Sequence, residues 1–358
     1  MYDPKYTISG KLLNTIGKIE AAKEVIENAP LIPQWERQFK NEAEVRTAHY
    51  STHIEENNMQ LDEVKKVFTG RENEVTARER DLQEILNYRE AMKFIDKVAV
   101  SSSSSPSSSS PITEQIIREL NKILTTRVLP SEKQGQFRIV PATTRNSVTG
   151  EVGLIAVEAP QIPTRIHDFV TWLATTASAH HPVLKAGLVH YEMTIIHPFY
   201  EANGRTSRAL ATLSLYLDGY NIRRFFSLEE HYDRDPAAYY AALRSGHGGD
   251  LTNWLEYFSE GLAIELSRVK ERVLKLSRDT RLRKTVGQIA LSERQEQIIE
   301  NLQNIGFLQN KDFKNLFPAI SEDTVLREIK DLLVKGLIVK KGSTKGARYV
   351  LRWSVNNQ

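Results

Sequence analysis

Leu12, Ile16, Ile19, Val25 and Ile26 recur at helical spacing, and Pro30 and Pro33 interrupt the pattern before a second helical stretch over about 35–51 leads into STHIEENNMQLDEVKKVF. From 77 to 98, Leu82, Ile85, Leu86, Met92 and Ile95 fall on one face of another amphipathic helix. The run SSSSSPSSSS at 101–110 has no apolar position to bury and reads as a loop without a function, ahead of a helix beginning ITEQIIRELNKIL. The period then changes. In GQFRIVPATTRNSVTGEVGLIAVEAP, Val, Ile, Thr and Phe flank a polar turn from Asn146 to Gly150, which predicts a β-hairpin that needs packing support. Helical patterns resume over 165–178, 182–196, 202–217, 236–244 and about 251–279.

RLRKTVGQIALS is polar without a clear face, so a boundary is expected near 280–290. Beyond it come three helix-like stretches, ERQEQIIENLQN, NKDFKNLF and SEDTVLREIKDLLVKG, then two short strands, LIVKKG and ARYVLRW, around STKG. No acid follows Asp331, whereas Lys335, Lys340, Lys341, Lys345, Arg348 and Arg352 do, giving this small domain a basic edge.

Composition narrows the function classes. The chain has 358 residues, 40% hydrophobic and 26% charged, which suits one large domain plus a smaller one. A net charge of +3 is too weak to make nucleic acid or a membrane surface the main partner. With no cysteine, a disulfide framework, a thiolate metal site and a thiol nucleophile are all excluded. No apolar run approaches the roughly 20 residues that span a bilayer, and the N-terminus lacks the apolar core of a signal peptide. A soluble, cytoplasmic protein without a membrane partner is the expectation.

Chemistry concentrates in HPFYEANGRTSR, residues 197–208. Pro198 ends the preceding helix and leaves His197 in its exit loop. Asn203-Gly204 predicts a tight turn with positive φ, and Thr206, Ser207 and Arg208 predict the first turn of a new helix, whose free N–H groups form an anion site. Arg205 and Arg208, three residues apart, add charge suited to a polyphosphate. Glu201 is an acid in an anion site, and a divalent cation bridging it to phosphate oxygens, Mg²⁺ for economy, resolves the conflict. His197 is a candidate base near neutral pH. Together these groups predict phosphoryl or nucleotidyl transfer.

The stretch resembles the signature of the Fic family: His-Pro-Phe, any residue, Asp or Glu, Gly or Ala, Asn-Gly-Arg, two residues, Arg. Seven invariant positions at about one in twenty each make chance agreement on the order of 10⁻⁹ per window. The resemblance implies transfer of AMP from ATP to a Ser, Thr or Tyr hydroxyl of a target protein. It assigns His197 as base, Phe199 as packing anchor, Glu201 as Mg²⁺ ligand, Ala202, Asn203, Gly204, Arg205, Thr206 and Ser207 around the phosphates, and Arg208 on the terminal phosphate. Related Doc-type kinases carry Lys where Gly204 stands, so glycine favours AMP transfer.

Thr52-His53-Ile54-Glu55-Glu56-Asn57 resembles the family's inhibitory pattern of Ser or Thr, three residues, Glu, then Gly or Asn, which pairs Glu56 with Arg208. A carboxylate there competes with the γ-phosphate for the same donors. GQFRIVPATTRNSVTGEV resembles the family's flap, which holds a target segment by strand addition. DRDPAAYYAALR resembles the adenine-side segment, with Tyr239 and Tyr240 as the pair and His247 where the family often has Asn. The last sixty residues resemble a winged helix, with Thr324, Arg327, Lys330 and Lys345 as residues that would face DNA.

The expected fold is therefore mainly α: an N-terminal helical region with the inhibitory helix (1–110), a Fic-type catalytic core with a β-hairpin flap (111–280), and a winged-helix domain (290–358). The expected activity is that of a protein adenylyltransferase, and a homodimer is an expected assembly. The alternative is a DNA-binding transcriptional regulator whose core senses nucleotide or modifies itself.

Overall fold

The structure, a computed structural model, describes residues 2–104, 110–145, 152–286, 291–318, 320–342 and 347–352. Helix α1 (Gly10–Glu27) starts where the Ser9 hydroxyl accepts from the Leu12 N–H at 3.1 Å, and it buries Leu12, Ile19, Ala22 and Ile26. Helix α2 (Pro33–His53) begins on a proline, and α3 (Leu61–Phe68) on a capping box between Gln60 and Glu63. Helices α4 (Glu79–Ser104) and α5 (Glu114–Thr125) precede the hairpin of β1 (Thr143–Arg145) and β2 (Val152–Ile155), which pair antiparallel with Thr143 opposite Ile155 and Arg145 opposite Val152. Then follow α6 (Ile162–Thr175), α7 (Pro182–Ile196), α8 (Asn203–Leu217), α9 (Glu229–Arg234), α10 (Pro236–Ser245) and α11 (Thr252–Val286).

Helix α7 is the centre of this first unit. Val183, Leu184, Leu188, Val189, Met193 and Ile196 are all buried, as befits a helix apolar on every side. Gly187 lets α11 close on it: a Cβ there would lie 2.8 Å from Leu255, and the Trp254 indole donates to the Gly187 carbonyl at 2.8 Å. The polar residues that α7 buries are partnered: Lys185 with Asp218 at 3.0 Å, His190 with the Tyr239 hydroxyl at 2.9 Å, and Glu192 with Arg165 at 2.7 Å.

The chain divides into two compact units, residues 1–277 and 278–358. In the second, α12 (Glu293–Ile305), α13 (Phe313–Leu316) and α14 (Glu322–Val334) are followed by the antiparallel pair β3 (Ile338–Lys341) and β4 (Arg348–Leu351). Ile298, Leu302, Val325, Ile329, Leu332 and Leu351 belong to its separate apolar core. Exposed positions on α14 include Glu322, Asp323, Arg327 and Lys330, with Thr324 half-buried.

Three expectations need correction. Helix α4 continues into the serine run as far as Ser104, with the Ser102 hydroxyl turned back onto the Val98 carbonyl at 2.9 Å rather than competing for the helix N–H groups. Helix α11 passes through the expected boundary to Val286, because no Gly or Pro after Gly261 stops it. Helix α9 is additional to the predicted elements. The Asn146–Gly150 turn, and Lys345 with the rest of STKG, lie outside the described residues.

Candidate functional site

Helix α7 ends where Pro198 cannot donate, and His197 caps it in a left-handed conformation, φ 47° and ψ 55°, with its N–H still bonded to the Met193 carbonyl. Its Nδ1 lies 3.4 Å from the Thr194 carbonyl oxygen. A carbonyl only accepts, so the proton belongs on Nδ1 and the Nε2 lone pair is left as an acceptor. Burial lowers the His197 pKa to about 4 against a raising contribution from the Thr194 carbonyl; Arg138 pushes the same way as burial. The ring is therefore neutral at pH 7.

The loop to α8 is held from inside. Asn203 is buried, its Oδ1 accepting from the Phe199 N–H at 2.8 Å and its Nδ2 donating to the Phe199 carbonyl at 2.9 Å, while Phe199 itself is buried. The predicted positive φ at Asn203-Gly204 is not there. Both residues are helical, and Ala202 takes the left-handed conformation at φ 58° as the N-cap. No side chain caps this first turn, so its N–H groups remain available to an anion. Thr206 and Ser207 contribute differently from the expectation: their hydroxyls turn back onto the Ala202 and Asn203 carbonyls at 2.7 and 2.9 Å and are fully buried.

Arg205 and Arg208, both buried, converge on one carboxylate. Arg205 Nε donates to Glu55 Oε2 at 2.7 Å, and Arg208 Nη2 to Glu55 Oε1 at 2.8 Å. Gly204 makes room for this, since a Cβ there would sit 2.5 Å from Glu55 Oε1. The residue facing Arg208 is thus Glu55, not Glu56 as the sequence pattern predicts. The cause is register. Ser51, one residue before Thr52, uses its hydroxyl and carbonyl to accept from Arg208 at 2.9 and 2.7 Å, and Glu55 lies four residues on, over the same face. Thr52 instead bonds back to the Ala48 and His49 carbonyls, and Glu56 is the left-handed residue, φ 70°, that turns the chain out of α2. Burial works to raise the Glu55 carboxyl, but the two guanidiniums outweigh it and hold the carboxyl below the usual range.

Two residues of α4 extend the network. Arg80 pairs with Glu201 at 2.8 Å and with Glu84 at 3.2 Å, and Glu84 reaches Arg205 at 3.4 Å. The buried Asn57 Nδ2 donates to Glu84 at 3.0 Å, tying this chain of charges to the turn after α2. Arg205 Nη1 is buried with no hydrogen-bond partner among the described residues.

One cavity of about 270 Å³ gathers most of the expected site: His197, Glu201, Ala202, Asn203, Gly204, Arg208, Tyr239 and Tyr240 line it, with Glu55 and Glu56 at its edge. Arg205, Thr206 and Ser207 stand behind the wall. Tyr239 is buried and held by His190, Tyr240 is half-buried, and His247 is exposed and does not line the cavity. Thr194, Arg80, Glu84 and Arg138 were not foreseen. Only Arg138 had a signal, as the Arg of the GQFR that opens the flap-like stretch.

Residues 111–215 match the family model described as Fic/DOC family. This chain carries a Fic domain. A protein adenylyltransferase Fic from Aedes aegypti is 26% identical over 225 residues, which is 63% of this chain and 41% of the relative. Another of the same name from Drosophila willistoni is 32% identical over 185 residues, 51% of this chain and 34% of the relative. The chain thus spans well under half the length of these curated relatives. A crystal structure of a Fic family protein from Desulfovibrio desulfuricans G20 superposes with a TM-score of 0.68 at 20% identity, covering 98% of both chains. Fic-1 from C. elegans, residues 134–508, gives 0.57 at 19% identity, covering 74% of this chain and 71% of that one. The mainly helical Fic fold with a small antiparallel hairpin is common to this chain and these neighbours.

Proposed function

We propose that this chain is a protein adenylyltransferase that moves AMP from ATP to a Ser, Thr or Tyr hydroxyl, and that Glu55 holds it in a resting state. The observation carrying this reading is the opposition, in one cavity, of a neutral left-handed His197 and Arg208, whose guanidinium is bridged by the Glu55 carboxylate to Arg205 behind the wall. The relatives named protein adenylyltransferase support the same reading.

The target hydroxyl oxygen attacks the α-phosphorus as His197 Nε2 takes its proton. A P–O bond forms, the bond from the α-phosphorus to the bridging oxygen breaks, and pyrophosphate leaves. The N–H groups of the first turn of α8 receive phosphate oxygens, and Arg208 is placed for the terminal phosphate once Glu55 withdraws. With Glu55 in place the cavity, about 270 Å³, falls just under the ~300–1,000 Å³ usual for small-molecule sites.

Glu201 lines the cavity beside the start of α8 and, unlike Glu55, is not paired with either motif arginine; its partner Arg80 is largely exposed and can exchange it for water. That donor set fits Mg²⁺, which binds through one or two carboxylates plus substrate phosphates. When bound, the ion would neutralise phosphate charge, with Glu201 as its protein ligand.

Labelled AMP on protein, measured with ATP, Mg²⁺ and host lysate for Glu55→Gly and for Glu55→Gly with His197→Ala, tests the reading. Transfer by the first and none by the second is expected. No label from Glu55→Gly overturns it.

A further inference from the structure

His197 takes a backbone conformation that costs a non-glycine residue about 1–2 kcal/mol, so its surroundings must hold it there. The contact that does so comes from the flap. Arg138, 2% exposed, donates from Nε to the His197 carbonyl at 2.7 Å, from Nη1 to the Val140 carbonyl at 2.8 Å, and from Nη2 to the Val157 carbonyl. Its own N–H donates to the Pro198 carbonyl at 2.8 Å. Phe137 beside it bridges antiparallel to Phe199, with ring centroids 5.6 Å apart, and the Arg118 guanidinium lies 3.6 Å from the Phe137 ring centroid. On the far side of the flap the Val157 N–H donates to the Ile195 carbonyl at 3.1 Å.

Among the described residues no carboxylate forms an ion pair with Arg138. Glu158 acts on it only through space, and a buried guanidinium with no directly paired carboxylate is a poor device for stability alone. Its three acceptors are carbonyls at the flap entry, the flap exit and the end of α7, where the helix dipole favours positive charge. We infer that Arg138 is the positioning residue for His197, fixing the left-handed backbone from which the imidazole enters the cavity and fastening both ends of the flap to that same point. The base and the edge that would present the target hydroxyl then move together. A lysine keeps the charge but cannot span three carbonyls, because its donors radiate from one nitrogen.

This inference rests on the reading of His197 as the base, and its test separates the two. In the full chain carrying Glu55→Gly, Arg138→Met and Arg138→Lys are compared by kinetics and by the His197 Cε1–H NMR resonance, assigned through His197→Ala. Arg138→Met is expected to lower kcat by about 10²-fold, the loss typical of a base misplaced by about 1 Å, with KM for ATP within about threefold. Arg138→Lys should recover part of kcat, and the His197 resonance should move in Arg138→Met more than in Arg138→Lys. A kcat within about threefold of the parent, or a loss confined to KM with the His197 resonance unmoved, overturns the inference. If Arg138→Met does not fold, Arg138→Lys decides by the same two measures. If no variant, parent included, transfers AMP, the adenylyltransferase reading fails while the NMR comparison still decides the role of Arg138.

Discussion

The two ends of the 197–208 stretch are held in opposite ways. At the His197 end the backbone is pinned by neutral carbonyl contacts, the ring is uncharged, and its Nε2 is left as an acceptor. At the arginine end, two buried cations already share the Glu55 carboxylate, and Arg208 also donates to Ser51. On the proposed reading the base is uncharged in the resting protein while the anion site is taken, so what limits turnover would be one exchangeable carboxylate rather than the chemistry.

Removing the His197 end should have the largest effect. His197→Ala in the Glu55→Gly chain is expected to reduce AMP transfer by about 10²–10⁴-fold, read as initial rate, with the melting temperature little changed. Freeing the occupied end comes next. Glu55→Gly should raise transfer at least about tenfold and cost about 2 kcal/mol of stability, since Arg205 and Arg208 lose their shared carboxylate, only partly buried itself. Because ATP phosphates replace that carboxylate, ATP should raise the melting temperature of Glu55→Gly more than that of the wild type.

A pH profile sharpens the same contrast. With His197 at about 4 in the folded protein and about 6.5 unfolded, the unfolded chain binds more protons between those values. Its contribution to stability is therefore complete above about pH 6.5 and is lost as pH falls towards about 4. The acid limb of kcat/KM should likewise lie near pH 4, leaving the profile of Glu55→Gly flat from about pH 5.5 to 8. A limb near pH 6.5 would show that His197 is not held as described.

The smallest effect should come from Glu56→Gly. It leaves Glu55 on Arg208 and relieves a left-handed glutamate, so activity should stay at the wild-type level while stability rises by about 0.5 kcal/mol, net of the entropy glycine adds to the unfolded chain. Activation by Glu56→Gly equal to that of Glu55→Gly would break the assignment of the lock.

Helices α1, α4 and α6 were legible because their apolar positions recur on the faces they bury, and most of the charged and turn residues of the 197–208 stretch gather at one cavity because they are contiguous in the chain. What the sequence hid was orientation. Ser51 and Thr52 both stand four residues before a glutamate, and only the rotation of the last turn of α2 selects Ser51 with Glu55. Thr206 and Ser207 are expected among the free N–H groups of the first turn, yet the Thr206 N–H is already bonded to the Ala202 carbonyl, and both hydroxyls turn back onto the carbonyls four residues before them. Arg80 and Glu84 come from a helix about 120 residues away, and no local pattern links them to the motif.

Glu55 and Arg208 lie on one polypeptide, so on the proposed reading a nucleotide would compete with a tethered rival. Its effective concentration, in the millimolar range or above for short connections, is set by how firmly α2 and the turn after it are packed, and dilution does not lower it. Expression level therefore cannot switch such a site on. Loosening α2 can, and α2 is anchored at a distance, through Arg46 to Glu230 and Glu265 and through stacking of Phe39 on Phe225.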